Sequence, residues 1–160
     1  MPMIRKQHWV AAVIASFSVL SAPNSFGQVT IEERQRAELP SALISSHRSK
    51  MVLTSSNQLD GETTASVMSG QSYSGHYYIS SNSDHTVSID LKDNQDDEDI
   101  QLSKFTLVYK GRMYTSFPAT GLPSPGEGEN VYIGFTVTLR PGVTAGERYP
   151  SYEIDVTEEY

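Results

Sequence analysis

The sequence predicts an all-β protein, an antiparallel β-sandwich in a single domain. Three observations predict it. Apolar residues alternate with polar ones where they cluster: across 131–139, Val131, Ile133, Phe135, Val137 and Leu139 share one face, and Tyr132, Gly134, Thr136 and Thr138 the other, the period of a half-buried strand. Gly, Pro, Ser and Asn interrupt the chain at short intervals, as they do between many short strands. After residue 27 almost no stretch carries a helical period; the exception is a short polar segment around 32–38.

The first 27 residues stand apart. Arg5 and Lys6 precede an apolar run over 9–20, and Ser25 and Gly27 occupy the −3 and −1 positions of a cleavage site, the layout of a secretory signal peptide. A membrane span needs about 20 predominantly apolar residues, and this run is shorter. Cleavage after Ala22 would put Pro23 next to the cut, so cleavage after Gly27 is expected, leaving 28–160. Loss of Arg5 and Lys6 then leaves ten Lys+Arg against nineteen Asp+Glu and a net charge of −9. Such a surface argues against nucleic acid or anionic lipid as partner. There is no cysteine, so stability rests on packing and backbone pairing. A chain of this size holds one core without staples.

The elements follow in order. Residues 28–40 form an N-terminal extension, either a short helix or an extended arm, closed by Pro40; the sandwich domain spans 41–160. Residues 43–46 and 49–54 are short strand candidates. Residues 74–80, with Tyr77, Tyr78 and Ile79, and 86–91, with Val87, Ile89 and Leu91, read as a hairpin around the turn chemistry of 80–84. A second hairpin covers 102–117, turning at Lys110 and Gly111. Residues 118–130 read as a long loop, and a turn joins 131–139 to a last strand in which Tyr152, Ile154 and Val156 alternate with Glu153, Asp155 and Thr157. Six to eight strands at this spacing suggest an immunoglobulin-like sandwich.

The C-terminal residues carry a family resemblance. Ala145-Gly146-Glu147-Arg148-Tyr149, followed by Tyr152, Ile154 and Val156 in alternation, resembles the close of chaperone–usher fimbrial subunits, including those of pili and capsular fibres. Glu147-Arg148 stands where that pattern has one residue, and Pro150 interrupts the strand. The likeness covers the final third and the signal. It implies a sandwich lacking one strand that is supplied in trans, first by a periplasmic chaperone and then, at an outer-membrane usher, by the N-terminal extension of the next subunit. The partners would be identical or related subunits joined head to tail, with a host receptor or glycan beyond them. A bare sheet edge invites such pairing, and a contact that does not close yields a fibre. The resemblance makes Tyr152, Ile154, Val156 and Tyr160 the acceptor edge and chaperone-facing strand. It makes Val29, Ile31, Ala37 and Leu39 the donor strand. Glu33 and Gln35 share that parity, and an unpaired carboxylate in an apolar groove is costly.

Other constellations point elsewhere. Five carboxylates crowd 93–99, but the glycine and terminal Glu of a calcium-binding EF-hand loop are missing, Lys104 standing at the twelfth place; a solvated hairpin loop is the plainer reading. No Gly-x-Ser-x-Gly elbow is present, and His47, His76 and His85 have no metal-ligand spacing. No enzyme, metal or cofactor is therefore expected. Tyr73, Tyr77, Tyr78, Tyr109, Tyr114 and Tyr132 suit glycans and protein interfaces alike. The sequence thus points to a structural subunit of a surface fimbria, exported through the periplasm, polymerising by donor-strand complementation and supporting adhesion or biofilm. The alternative is a self-contained periplasmic or cell-surface sandwich that binds glycan or protein.

Overall fold

The computed structural model describes residues 28–160 apart from 145 and 147. The signal expected over 1–27, and Ala145 and Glu147 of the C-terminal motif, lie outside the described residues. Eleven strands and no helix occur among the described residues: β1 (Val29–Gln35), β2 (Ser41–Ala42), β3 (Ser49–Leu53), β4 (Val67–Ser69), β5 (Gly75–Ser81), β6 (Val87–Asp93), β7 (Ile100–Tyr109), β8 (Arg112–Tyr114), β9 (Ala119–Leu122), β10 (Glu129–Leu139) and β11 (Tyr152–Glu158). The protein is all-β, with antiparallel sheets packed together.

The large sheet runs β1-β5-β10-β7-β8. β10 is its hub: the first half pairs β5, the second half pairs β3 along the same edge, and the other edge pairs β7. The small sheet runs β11-β6-β9, and β2 and β4 form a separate ribbon. Alternation in the sequence sets the inward faces. Tyr77, Ile79, Leu107, Tyr109, Val131 and Ile133 of the large sheet share one buried core with Val87, Ile89, Leu91, Leu122 and Val156 of the small one. Each aliphatic side chain so enclosed stabilises the fold by about 1.5–3 kcal/mol. The Tyr109 hydroxyl, buried with its ring, donates to the Pro123 carbonyl at 2.6 Å.

Several expectations are corrected. Of the two alternatives for the N-terminal extension the extended one holds, β1 covering 32–35 of the segment 32–38. The segments 74–80 and 86–91 are strands, but β5 and β6 belong to different sheets, so the turn between them crosses the sandwich. The same holds for β10 and β11, and for β6 and β7, so the acidic segment 93–99 is a crossover rather than a hairpin loop. Residues 118–130 contain β9, and 43–46 lie outside the strands, the pairing there being made by Ser41 and Ala42. Alternation identifies a buried face without saying which sheet it lines, which is why the partition was misread. The β7–β8 hairpin stands as expected, with Lys110 and Gly111 both at positive φ (47° and 72°), the conformation of a two-residue I′ turn. On β10, Gly134 and Thr136 are buried despite their outward parity. The chain at Leu53–Ser55 crosses Gly134 so closely that a Cβ would lie 2.5 Å from the Leu53 carbonyl oxygen.

Candidate strand-acceptor edge

Among the described residues β11 is an edge strand, held on one side only. Its register on β6 runs from Tyr152↔Asp93 to Glu158↔Val87. Just before it the Asn94 N–H donates to the Ser151 carbonyl at 3.1 Å, and just after it the Glu159 N–H donates to the Thr86 carbonyl at 2.9 Å. In an antiparallel ladder, bonded and non-bonded residues alternate. Residues 151, 153, 155, 157 and 159 therefore face β6 with their peptide groups, and Tyr152, Ile154, Val156 and Glu158 turn theirs outward. No strand among the described residues lies beyond them. Those same four residues point their side chains inward, opposite Asp93, Leu91, Ile89 and Val87. Val156 is buried, while Tyr152 and Ile154 are half-buried against the core.

β1 closes the sandwich on the same flank, from the other sheet. It pairs with β5, placing Val29, Ile31 and Glu33 opposite Ser81, Ile79 and Tyr77 and hence on the inward face. Two contacts fix its direction relative to β11. Ser81, the partner of Val29, donates its hydroxyl to Glu158, and the Tyr77 hydroxyl, opposite Glu33, donates to that of Tyr152 at 3.3 Å. β1 thus runs antiparallel to β11, with Cα atoms approaching within 8 Å and no ladder between them. A bulge at Glu33/Gln35 sets Gln35 opposite His76, on the outer face. Gln35 therefore leaves the inward row in which the sequence placed it. Glu33 remains there with its side chain 43% exposed and Arg36 3.8 Å away.

Of the four residues assigned to a donor strand, Val29 and Ile31 lie on β1, and Ile31 is 37% exposed although its partner Ile79 is fully buried. Ala37 is buried in the chain's own core and Leu39 packs against it. Reciprocal bonds between Glu38 and Tyr73, at 2.9 and 3.0 Å, hold this stretch in place.

The two ends of β11 are fastened differently. At its start the Tyr152 ring sits among Tyr77, Phe105 and Phe135 at centroid distances of 5.4–6.3 Å, its hydroxyl against Gly75. Burial pushes the phenols of Tyr152 and Tyr77 upward. At its end Glu158 accepts from Ser81, from Ser83 at 2.7 Å and from Tyr160 at 3.0 Å. These hydroxyls, Ser81 first, hold its carboxyl below the usual range. Glu159 accepts from Thr86 and from the Gly121 N–H, while the Tyr160 ring meets His85 edge-on at 4.8 Å. Tyr160 lies outside β11 and is largely exposed.

Two features went unseen in the sequence. Arg148 reaches back to the acidic crossover and pairs with Asp97 and, at 2.8 Å, with Asp99. Beside it a cavity of about 680 Å³ opens among Leu39, Met51, Ile100, Leu139 and Tyr149. Neither was legible, because each joins segments far apart in the chain. Among the described residues no acidic or histidine groups gather as a metal site. Of the tyrosines, Tyr77 and Tyr109 are core residues, whereas Tyr78 lies under the Arg34 guanidinium at 5.0 Å and Tyr132 stacks on His76 at 4.6 Å.

The fold and the bare edge define an all-β protein of two packed antiparallel sheets. Comparison with family models, curated proteins and solved structures finds no match.

Proposed function

We propose that the chain is a structural subunit of a surface fimbria or fibre, an immunoglobulin-like sandwich short of one strand, which polymerises by strand complementation. The observation that carries this reading is the free edge of β11. An immunoglobulin constant-type sandwich sets strands A-B-E-D against C-F-G. With β3, β8 and β9 set aside as additions, the order β1-β5-β10-β7 facing β6-β11 supports reading these six strands as A-B-E-D and C-F, and on that reading a G strand would lie along the outward peptide groups of Tyr152, Ile154, Val156 and Glu158. A half-exposed apolar inner edge and a row of unpaired peptide groups together favour strand addition. The donor is β1 exchanged onto a neighbouring copy, limited to Val29–Gln35 because Ala37 and Leu39 are tied into their own core. Export, a periplasmic chaperone and usher, and a role in adhesion belong to this proposal.

The test is the assembly state. Protein expressed from the full precursor is run on an SDS gel with and without boiling. A ladder that collapses to monomer on boiling supports strand-linked polymers of high kinetic stability. The self-contained glycan- or protein-binding reading draws on the cavity beside Arg148. It predicts one folded monomer band.

A further inference from the structure

The cavity beside Arg148 has an aliphatic floor and a charged wall. Met51, Ile100 and Val137 form the floor; each is buried in the fold, and each borders the same space of about 680 Å³, a volume within the range of small-molecule sites. None of the three side chains carries an N–H or O–H group, so a sugar hydroxyl brought against them would lose its water and gain no partner. The apolar lining continues outward to Leu43, Ile44 and Tyr149, which are 53%, 50% and 66% exposed. Exposed apolar residues gathered around one opening mark a binding site. The wall is negative. Arg148 Nη1 is engaged by Asp97, and Nη2 by Asp99 at 2.8 Å and by the Thr144 carbonyl at 3.3 Å, so two carboxylates stand against one guanidinium. Beyond them Glu98 meets Arg140 at 3.8 Å, while Asp93 accepts only from the neutral N–H groups of Gln95 and Leu102. An anionic headgroup would have to compete with Asp97 and Asp99 for Arg148.

We infer that this cavity binds an uncharged lipid-like molecule, its alkyl chain laid on Met51, Ile100 and Val137 and its neutral polar group at the rim, where Ser41 and Thr144 offer hydroxyls. Burial of the chain supplies the affinity, and the flexible Met51 side chain lets the floor adapt to it. The negative wall supplies the selection, since like charges brought together disfavour an anionic competitor. No residue of β1 or β11 lines the cavity, so the inference stands apart from the strand-acceptor reading. It also assigns the cavity to a ligand other than the glycan of the self-contained reading.

The probe is N-phenylnaphthylamine, a neutral apolar dye that brightens on leaving water. It is bound to the folded protein and displaced with decanol or with decanoate, which share a chain and differ in charge. Decanol is expected to displace it at a concentration about tenfold or more below that of decanoate. Combined Asp97→Asn and Asp99→Asn removes the negative charge while keeping oxygen acceptors for Arg148, and should close most of that gap by improving decanoate alone. Ala42→Trp, at a half-exposed lining position, should fill the cavity and weaken the dye about tenfold or more with the circular dichroism spectrum unchanged; Val143→Trp, also half-exposed in the lining, gives the same reading should Ala42→Trp fail to fold. A dye that does not bind, or that binds a folded tryptophan variant undiminished, overturns the site. Equal displacement by the two amphiphiles, or a gap that the double substitution leaves intact, overturns the selection for an uncharged ligand. None of these outcomes alters the ladder expected of strand-linked polymers.

Discussion

At the scale of single residues, the flank of the sandwich depends on a few close fits. Gly75 lets Tyr152 fold its hydroxyl against the backbone of β5, and a Cβ there would overlap that hydroxyl and come within 3.2 Å of the carbon bearing it. Gly75→Ala should lower stability by about 1–3 kcal/mol through overpacking, and Tyr152→Phe in the same chain should restore part of the loss, a coupling read from urea midpoints of the double-mutant cycle. Purely additive losses would mean that the two positions do not press on each other. Glu158 gives a pH-dependent counterpart. Its carboxyl is held below its ordinary value by Ser81, Ser83 and Tyr160, so its contribution is fully present above the usual carboxylate range and is lost as pH falls through the lower folded-state value. Glu158→Ala should cost about 1 kcal/mol at neutral pH and flatten the acid limb of the stability curve. An unchanged limb would show that Ser81 and Ser83 do not hold the carboxylate in solution. Neither contact could be read from the sequence, because Glu158 and Ser81 stand 77 residues apart.

At the scale of elements, the strands were largely legible and their partners were not. The period-2 rows of β6, β10 and β11 announced themselves, and in β11 the inward set Tyr152, Ile154 and Val156 followed directly from it. That the peptide groups of those same residues also point outward needed the register on β6, which no alternation encodes. β9 was hidden because Gly121 and Pro123 read as loop chemistry, although Ala119 and Leu122 pair with β6. In β1 the parity of Val29 and Ile31 was visible, while the bulge that turns Gln35 outward was not. Two predictions belong here. Ile154→Pro removes an N–H that faces away from β6, a substitution an edge strand tolerates. It should leave the monomer folded by circular dichroism yet abolish strand-linked polymers, and a persistent ladder on unboiled gels would place the donor elsewhere. Deleting Val29–Gln35 should leave the remaining core in place but stop polymerisation; an unchanged assembly state would take β1 out of the mechanism.

At the scale of the whole molecule, the pairings span long stretches of chain: β1 meets β5 about fifty residues on, β3 reaches across to β10, and β6 waits for β11. Folding must close these loops before the ladders reward it, which places refolding in the millisecond-to-second range typical of β-sandwiches. With no cysteine in the chain, no cross-link holds intermediates together, and the β11 edge stays open even when the two sheets have packed. Pairing between molecules then competes with folding within one, and it does so as a function of concentration. Refolding yield from urea should therefore fall as protein concentration rises. Ile154→Pro, which blocks strand addition on the outer side of β11, should recover much of that yield without speeding the folding phase seen by stopped-flow fluorescence. If the variant refolds with the same concentration dependence as the parent, the sticky surface is not this edge. The exposed apolar residues around the β2–β4 ribbon, Leu43, Ile44, Val67 and Met68, then become the next positions to change.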